Sequence, residues 1–250
     1  MTYALQTRNL VKRFGGFVAT NDVTLNIATG ARHALIGPNG AGKTTLINLL
    51  TGFLEPTAGS VILQDRDVTR LPQHRRVKRG LARTFQINRL FADMTVLESV
   101  TLAVNERLGI GAHWWRSVGA HAEAIDQAAS LLGQLGLLDV AHATTKDLAY
   151  GRQRLIEIAL ALAAQPSVLL LDEPAAGVPT EESRDLFETI AQLPRDVTIL
   201  LIEHDMDLVF RFADRISVLV MGAILTEDVP AAIAADPRVK QVYLGESTHD

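Results

Sequence analysis

Gly37-Pro38-Asn39-Gly40-Ala41-Gly42-Lys43-Thr44 is the stretch on which the reading of this chain turns, and its spacing is G-x-x-x-x-G-K-T. Glycines so spaced let the backbone curl until successive N–H groups point inward at phosphate oxygens, while Lys43 adds a point charge and Thr44 a hydroxyl for Mg²⁺. The flanks agree. Arg32 to Ile36 is a short strand running into the loop, and Thr45-Leu46-Ile47-Asn48-Leu49-Leu50 is a helix leaving it with its positive end at the anion. A Gly-rich turn matching by chance would lack this strand-to-helix setting. Gly37, Pro38, Asn39, Gly40, Ala41, Gly42, Lys43 and Thr44, with Thr45 behind them, are the expected phosphate cradle.

Downstream, Val168-Leu169-Leu170-Leu171-Asp172-Glu173 is a buried, parallel-type strand ending in two carboxylates. Alone they would cap the turn before Pro174; beside a cradle strand they place one acid near Mg²⁺ and one near the terminal phosphate. Val197 to Ile202 is a second such strand, and His204 after it closes the same edge, within reach of that phosphate. Asp214 to Val220 adds a strand, Met221-Gly222 turns, and Ala223 to Leu225 pairs back.

Upstream, Leu5, Leu10 and Val11, then Asp22 to Ile27, alternate as antiparallel strands do. Between them Phe14 is placed to stack on a purine, or with Phe17 to fill core. Ser60 to Leu63 is a short strand. His74-Arg75-Arg76-Val77-Lys78-Arg79 puts four cations in six positions, expected as the solvated face of a short helix, with an anionic membrane or partner as the alternative. Leu81 to Gln86 is a strand ending in an amide that can reach a metal or an attacking water.

From Ile87 to Ala164 the period becomes helical, with Val96, Leu97, Val100, Leu102 and Val104 in one segment and Ala128, Leu131, Leu132 and Leu135 in another. Between them Gly109 to Trp115 is expected as a loop whose Trp114 and Trp115 serve an interface or lid local core. Asp147 to Arg154 is expected as a loop feeding the N-terminus of a helix through Leu155 to Leu162, a second anion site. The division expected is a core with an antiparallel β subdomain over 1–86 and 165–225, a helical subdomain over 87–164 and a helical tail over 226–250.

Composition bounds the rest. At 250 residues and 48% apolar the chain can bury a large core, and with no cysteine it has neither disulfides nor a thiolate metal site. A net charge of −4 argues against bulk electrostatic binding of nucleic acid. Neither a signal peptide nor a membrane span is expected, the longest apolar runs being broken at Gln165-Pro166-Ser167.

The cradle, Gln86, Ala149-Tyr150-Gly151-Arg152-Gln153, Asp172-Glu173 and His204 occur in the order and spacing of the ABC-transporter ATPases, which the chain resembles over nearly its whole length. There the segments are the Walker A, Q-loop, signature, Walker B and H-loop. Phe14-Gly15-Gly16, Arg83-Thr84-Phe85-Gln86, Asp172-Glu173-Pro174-Ala175-Ala176-Gly177, Glu203-His204-Asp205-Met206 and the closing Tyr243-Leu244-Gly245-Glu246 are similar to the branch that powers branched-chain amino-acid uptake.

The resemblance implies a P-loop NTPase (RecA-like) α/β core with an antiparallel β subdomain and an inserted helical subdomain. It implies two ATPases, copies or sisters, paired head to tail around two ATP molecules, each signature completing the other's site. Glu173 would polarise the attacking water, and His204 would hold the γ-phosphate. Lys43 would bind the β- and γ-phosphates, while Thr44, Gln86 and Asp172 (through water) would organise Mg²⁺. Two membrane permease subunits, an extracytoplasmic binding protein acting indirectly and a place on the cytoplasmic face of the membrane are implied with it. Two residues depart from the pattern: Ala149 stands where the wider family has serine, and Pro179 where most relatives have a carboxylate or asparagine.

Lipopolysaccharide export shares much of the pattern, but the Glu203 to Met206 and Tyr243 to Glu246 segments favour import. A soluble DNA-directed relative would need a long heptad insertion, and a ribosomal one a second cradle; neither is present.

Overall fold

The computed structural model describes residues 2–84, 93–109 and 122–244. Gln86 and Phe85, Trp114 and Trp115, and the closing Gly245-Glu246 lie outside the described residues. The chain divides into two compact units, one of Met1–Leu81, Ser167–Glu173 and Arg195–Asp250, the other of Ala82–Pro166 and Pro174–Pro194.

The first unit opens with β1 (Tyr3–Phe14) and β2 (Phe17–Ala28), an antiparallel hairpin in which Phe14 pairs with Phe17 across the turn. Both rings are exposed, Phe14 at 48% and Phe17 at 66%, which removes the core-filling alternative. Lys12 Nζ lies 5.2 Å from the Phe14 ring centroid, a cation–π contact. Next come β3 (Arg32–Ile36), α1 (Lys43–Thr51), β4 (Ala58–Leu63), β5 (Arg66–Asp67) and α2 (Gln73–Val77). The hairpin joins β4 and β5 in a four-stranded sheet of order β2-β1-β4-β5.

The second sheet holds β6 (Leu81–Arg83), β7 (Val168–Asp172), β8 (Thr198–Ile202), β9 (Arg215–Val220) and β10 (Ala223–Asp228), in the order β10-β9-β3-β8-β7-β6. Strands β3, β7, β8 and β9 run parallel, and β10 returns antiparallel. Val168 to Leu171 and Ile199 to Leu201 are wholly buried, as unbroken apolar runs in a covered parallel sheet should be. One core joins both sheets to α1 through Leu46, Ile47, Leu49 and Leu50.

Arg76 corrects the reading of the basic run. Arg75, Lys78 and Arg79 are exposed, but Arg76 is 1% exposed and donates from Nε to Leu71 O (2.9 Å), from Nη1 to Leu49 O and Leu50 O (both 2.7 Å), and from Nη2 to Thr69 O (2.8 Å). The last carbonyls of α1 run short of helical partners, Leu49 O receiving only a long bond from Gly52 N–H at 3.4 Å, and a planar guanidinium on the neighbouring turn supplies several donors at once.

The second unit contains α3 (Val96–Arg107), α4 (Ala122–Gln134), α5 (Tyr150–Leu162) and α6 (Thr180–Ala191). A capping box of Thr95 and Glu98 starts α3, and Arg107 Nε ties its end to Ala163 O at 2.9 Å. Helix α5 begins at Tyr150, so Tyr150 to Gln153 form its first turn rather than a preceding loop. The first unit closes with α7 (Met206–Phe212), α8 (Pro230–Ala235) and α9 (Pro237–Leu244).

Candidate nucleotide site and signature helix

Register brings the chemistry of the first unit to one edge. Leu35 pairs with Ile202, and Ile202 with Asp172, so β3, β7 and β8 end together. Past those ends lie Gly37, Glu173 and Glu203-His204, at the carboxyl edge where open α/β sheets take ligands.

In the cradle, Gly42 has φ 101° and an added Cβ would stand 2.5 Å from Ala19 O, so both torsion and space demand glycine. Gly40 also has positive φ, 77°, but a Cβ there would meet nothing within 4 Å, the wall being open. Ala41 N–H donates to Pro38 O at 3.1 Å, and Ala41 O accepts from Gly222 N–H at 2.8 Å. Asn21 N–H in turn reaches Gly222 O at 2.7 Å. The loop is thereby braced through the β9–β10 turn to β2, a support that Met221-Gly222 gave no sign of in the sequence.

Lys43 Nζ donates to Gly37 O at 2.5 Å and Pro38 O at 3.0 Å, bridging the strand end and the loop. Helix α1 starts on Gly42 with no side-chain cap and no acid in its first turn, so the positive end of its dipole meets no charge from its own helix. Thr44 is exposed, as are Asn39 and Gly40, and Thr45 is half-buried. These donors, the lysine and the open wall fit a nucleotide's phosphates.

Opposite them, Asp172 ends β7 half-buried, and Glu173 follows with φ 47°, its N–H held by Ile202 O at 2.9 Å. A non-glycine residue in that region is strained by about 1–3 kcal/mol. The strain turns the carboxylate outward, 47% exposed, with Oε1 4.0 Å from His204 Nδ1. Glu203, 1% exposed, accepts the His204 backbone N–H at 3.0 Å and lies 3.6 Å from Nδ1. The imidazole thus turns Nδ1 toward two carboxylates. Sequence reading passed over Glu203, because a carboxylate at the end of an apolar strand gives no sign of being buried.

The signature residues stand in the second unit. Ala149 is the N-cap of α5 and provides no capping oxygen. Gly151 N–H instead donates to Glu182 Oε2 at 2.8 Å. Arg152 Nη1 pairs with Asp139 Oδ2 at 2.6 Å, a contact that holds the Asp139 carboxyl below its ordinary range. Gln153 Nε2 donates to Leu148 O at 2.8 Å. The Tyr150 hydroxyl accepts from Arg154 Nη2 at 2.8 Å, and the guanidinium carbon sits 4.9 Å from that ring's centroid. Arg154 also pairs with buried Glu157 at 2.8 Å and reaches Ala176 O at 3.2 Å, so this buried cation ties α5 to the segment after Glu173. Neither Arg154 nor Glu182 stood out in the sequence, because no motif spacing marks either.

A phosphate cradle ahead of α1 and acids at the ends of neighbouring parallel strands, in a chain that also carries an antiparallel sheet and a helical unit, define a P-loop ATPase cassette. A family model described as ABC transporter matches residues 20–176, more than half of the chain. The high-affinity branched-chain amino acid transport ATP-binding protein LivG of Escherichia coli K12 is 44% identical, over 97% of this chain and 98% of its own. The crystal structure of the ADP conformation of an ATP-binding cassette of an ABC transporter superposes with a TM-score of 0.87 at 31% identity, covering 98% of this chain and 100% of that one. A dimeric structure of a bacterial ABC transporter cassette has a TM-score of 0.73 at 25% identity, over 90% of this chain and 98% of its own. The chain belongs to the ABC transporter family, as an ATP-binding, ATP-hydrolysing subunit.

Proposed function

We propose that this chain powers a membrane importer for branched-chain or other hydrophobic amino acids, or related carboxylates, by hydrolysing ATP. One observation carries the reading: the cradle, Asp172, Glu173 and His204 converge on one sheet edge in a chain 44% identical to LivG over almost its full length.

The residues divide the chemistry among them. The N–H groups of Gly37 to Thr44 and the Lys43 ammonium hold the β- and γ-phosphates, and Phe14, exposed at the hairpin tip, stacks on the adenine. Thr44, Gln86 and, through water, Asp172 would hold Mg²⁺, which would supply charge neutralisation on the phosphate oxygens. Glu173 accepts hydrogen-bonding from the attacking water and orients it, and His204, its Nδ1 facing Glu173 and Glu203, presents Nε2 to the γ-phosphate. Phosphoryl transfer asks for positioning and charge compensation more than covalent chemistry, and these groups provide both.

The second unit supplies the signature, Ala149 to Gln153, to the nucleotide of a neighbouring ATPase, a sister chain or a second copy; the dimeric relative supports such pairing. Among the described residues no helix is long and apolar enough to cross a membrane. In this reading permease subunits hold the complex at the cytoplasmic face, with the segment 87–164 against them and the extracytoplasmic binding protein delivering substrate from the far side.

The test is purification from native membranes followed by uptake in reconstituted vesicles. Two permease subunits are expected to copurify, and ATP inside the assay compartment that exposes this chain is expected to drive leucine transport that Lys43→Ala abolishes. Copurification with no membrane protein would overturn the reading.

A further inference from the structure

Glu182 lies in the first turn of α6, half-buried, and its Oε2 accepts the Gly151 N–H at 2.8 Å. That amide is the second of α5, the one a serine N-cap would satisfy. Ala149 cannot, and α5 has no side-chain cap of its own. A carboxylate from another helix has taken the place of the missing hydroxyl. The approach is close: a Cβ on Gly151 would stand 2.8 Å from Glu182 Oε2 and 3.2 Å from its Cβ. Glycine at 151 is what admits the carboxylate to the helix end.

We propose that Glu182 is an anionic stand-in for the neighbouring ATPase's γ-phosphate, one that holds the Gly151 amide in the open subunit and must leave before ATP on the neighbour can dock there. This rests on the reading that the signature faces the neighbour's nucleotide. One N–H has one hydrogen and cannot serve a carboxylate and a phosphate oxygen at full strength together. A carboxylate left in place would also face the γ-phosphate charge at hydrogen-bonding range, and like charges so placed repel. Closure of the two ATPases therefore includes a swap of one anion for another on the same helix end. ADP offers no γ-phosphate, so after hydrolysis Glu182 regains the amide and favours reopening. The contact raises the ATP level needed for closure and speeds release.

Glu182→Gln separates this from a merely structural cap, because the amide oxygen still accepts the Gly151 N–H while the charge is gone. The assay uses the full chain with the ATPase it copurifies with, carrying Glu173→Gln to block turnover, and follows dimer formation by sedimentation as ATP is raised. Glu182→Gln is expected to lower the half-maximal ATP concentration by about tenfold or more, with ATP affinity of the separate subunit unchanged. Ala149→Ser combined with Glu182→Ala, which rebuilds a neutral cap, is expected to do the same and covers any loss of folding in the single variant. A threshold that stays put or rises in both variants overturns the stand-in. Gly151→Asp, which fixes a carboxylate at the same point, is expected to block closure. If it does not, the signature does not face the neighbour's nucleotide and the proposal falls with that reading. If it does while Glu182→Gln has no effect, the stand-in alone is wrong.

Discussion

Replacing Arg76 by methionine removes four hydrogen bonds from a group that is 1% exposed, those to Leu49 O, Leu50 O, Thr69 O and Leu71 O at 2.7–2.9 Å. Bonds to a charged donor are worth about 1.5–3 kcal/mol each, so simple addition would give ~6–12 kcal/mol. Addition overstates the loss, because the guanidinium gave up its hydration to be there. Burial pulls its pKa down to about 10, which marks that penalty while leaving it ionised at pH 7. Methionine fills most of the volume, so the residual cost is that of Leu50 O, Thr69 O and Leu71 O losing this donor while Leu49 O keeps Gly52 N–H, ~3–5 kcal/mol at about 1–3 kcal/mol per bared carbonyl with some relaxation. Arg76→Lys should fall between, since a single ammonium cannot span four carbonyls arranged for a planar fork. Urea unfolding of the purified chain reads both, and loss of less than about 1 kcal/mol in Arg76→Met would refute the argument that the α1 C-terminus depends on this cation. Gly52→Ala gives an independent reading of the same contact. Its Cβ would stand 2.7 Å from both Arg76 Nε and Leu71 O at a residue with φ 78°, and it should destabilise the same transition.

Within the cradle, Gly42→Ala is expected to abolish measurable ATP binding, because the new Cβ meets Ala19 O at 2.5 Å. Gly40→Ala has room and pays only the torsional strain of about 1 kcal/mol, so its affinity should fall about fivefold; equal losses in a binding titration would contradict this division. His33 is buried, and desolvation lowers its pKa from 6.5 despite the opposing pull of Glu227, 4.0 Å from Nε2. Ser217 Oγ donates to Glu227 and accepts from His33 Nε2 at 2.7 Å, which suits the neutral ring. Its contribution to stability is therefore full above the unfolded value of 6.5 and is lost as pH falls through the depressed folded value. His33→Gln should flatten that part of the stability–pH curve, and an unaltered slope would show that another group titrates there.

The sequence made the cradle, the two acids and the histidine legible because each follows from local pattern: a glycine spacing, and apolar runs that end in a charged residue. The parallel core followed for the same reason, since Val168 to Leu171 can only be a covered strand. What escaped was set by tertiary contact. Arg76 reads like its neighbours Arg75, Lys78 and Arg79, and only the α1 carbonyls beside it separate a buried staple from a solvated face. Hydropathy left Phe14 and Phe17 open between a stacking surface and core, and only the hairpin, which leaves both rings exposed, removes the core alternative. Tyr150 to Gln153 read as loop because the amphipathic apolar run begins only at Leu155. The helix takes them in, and its second amide, that of Gly151, finds Glu182, 31 residues away, a partner that no local rule records.

Glu173 bears the chemical claim most directly, its strained backbone holding the carboxylate at the sheet edge 4.0 Å from His204 Nδ1. The deciding measurement is ATP turnover by the assembled complex with Glu173→Gln, read together with bound nucleotide. Turnover is expected to fall by at least about a hundredfold, on the scale of a lost general base, while unhydrolysed ATP and the closed dimer accumulate. Turnover at the wild-type rate would contradict the assignment of this chain's hydrolytic chemistry to Glu173.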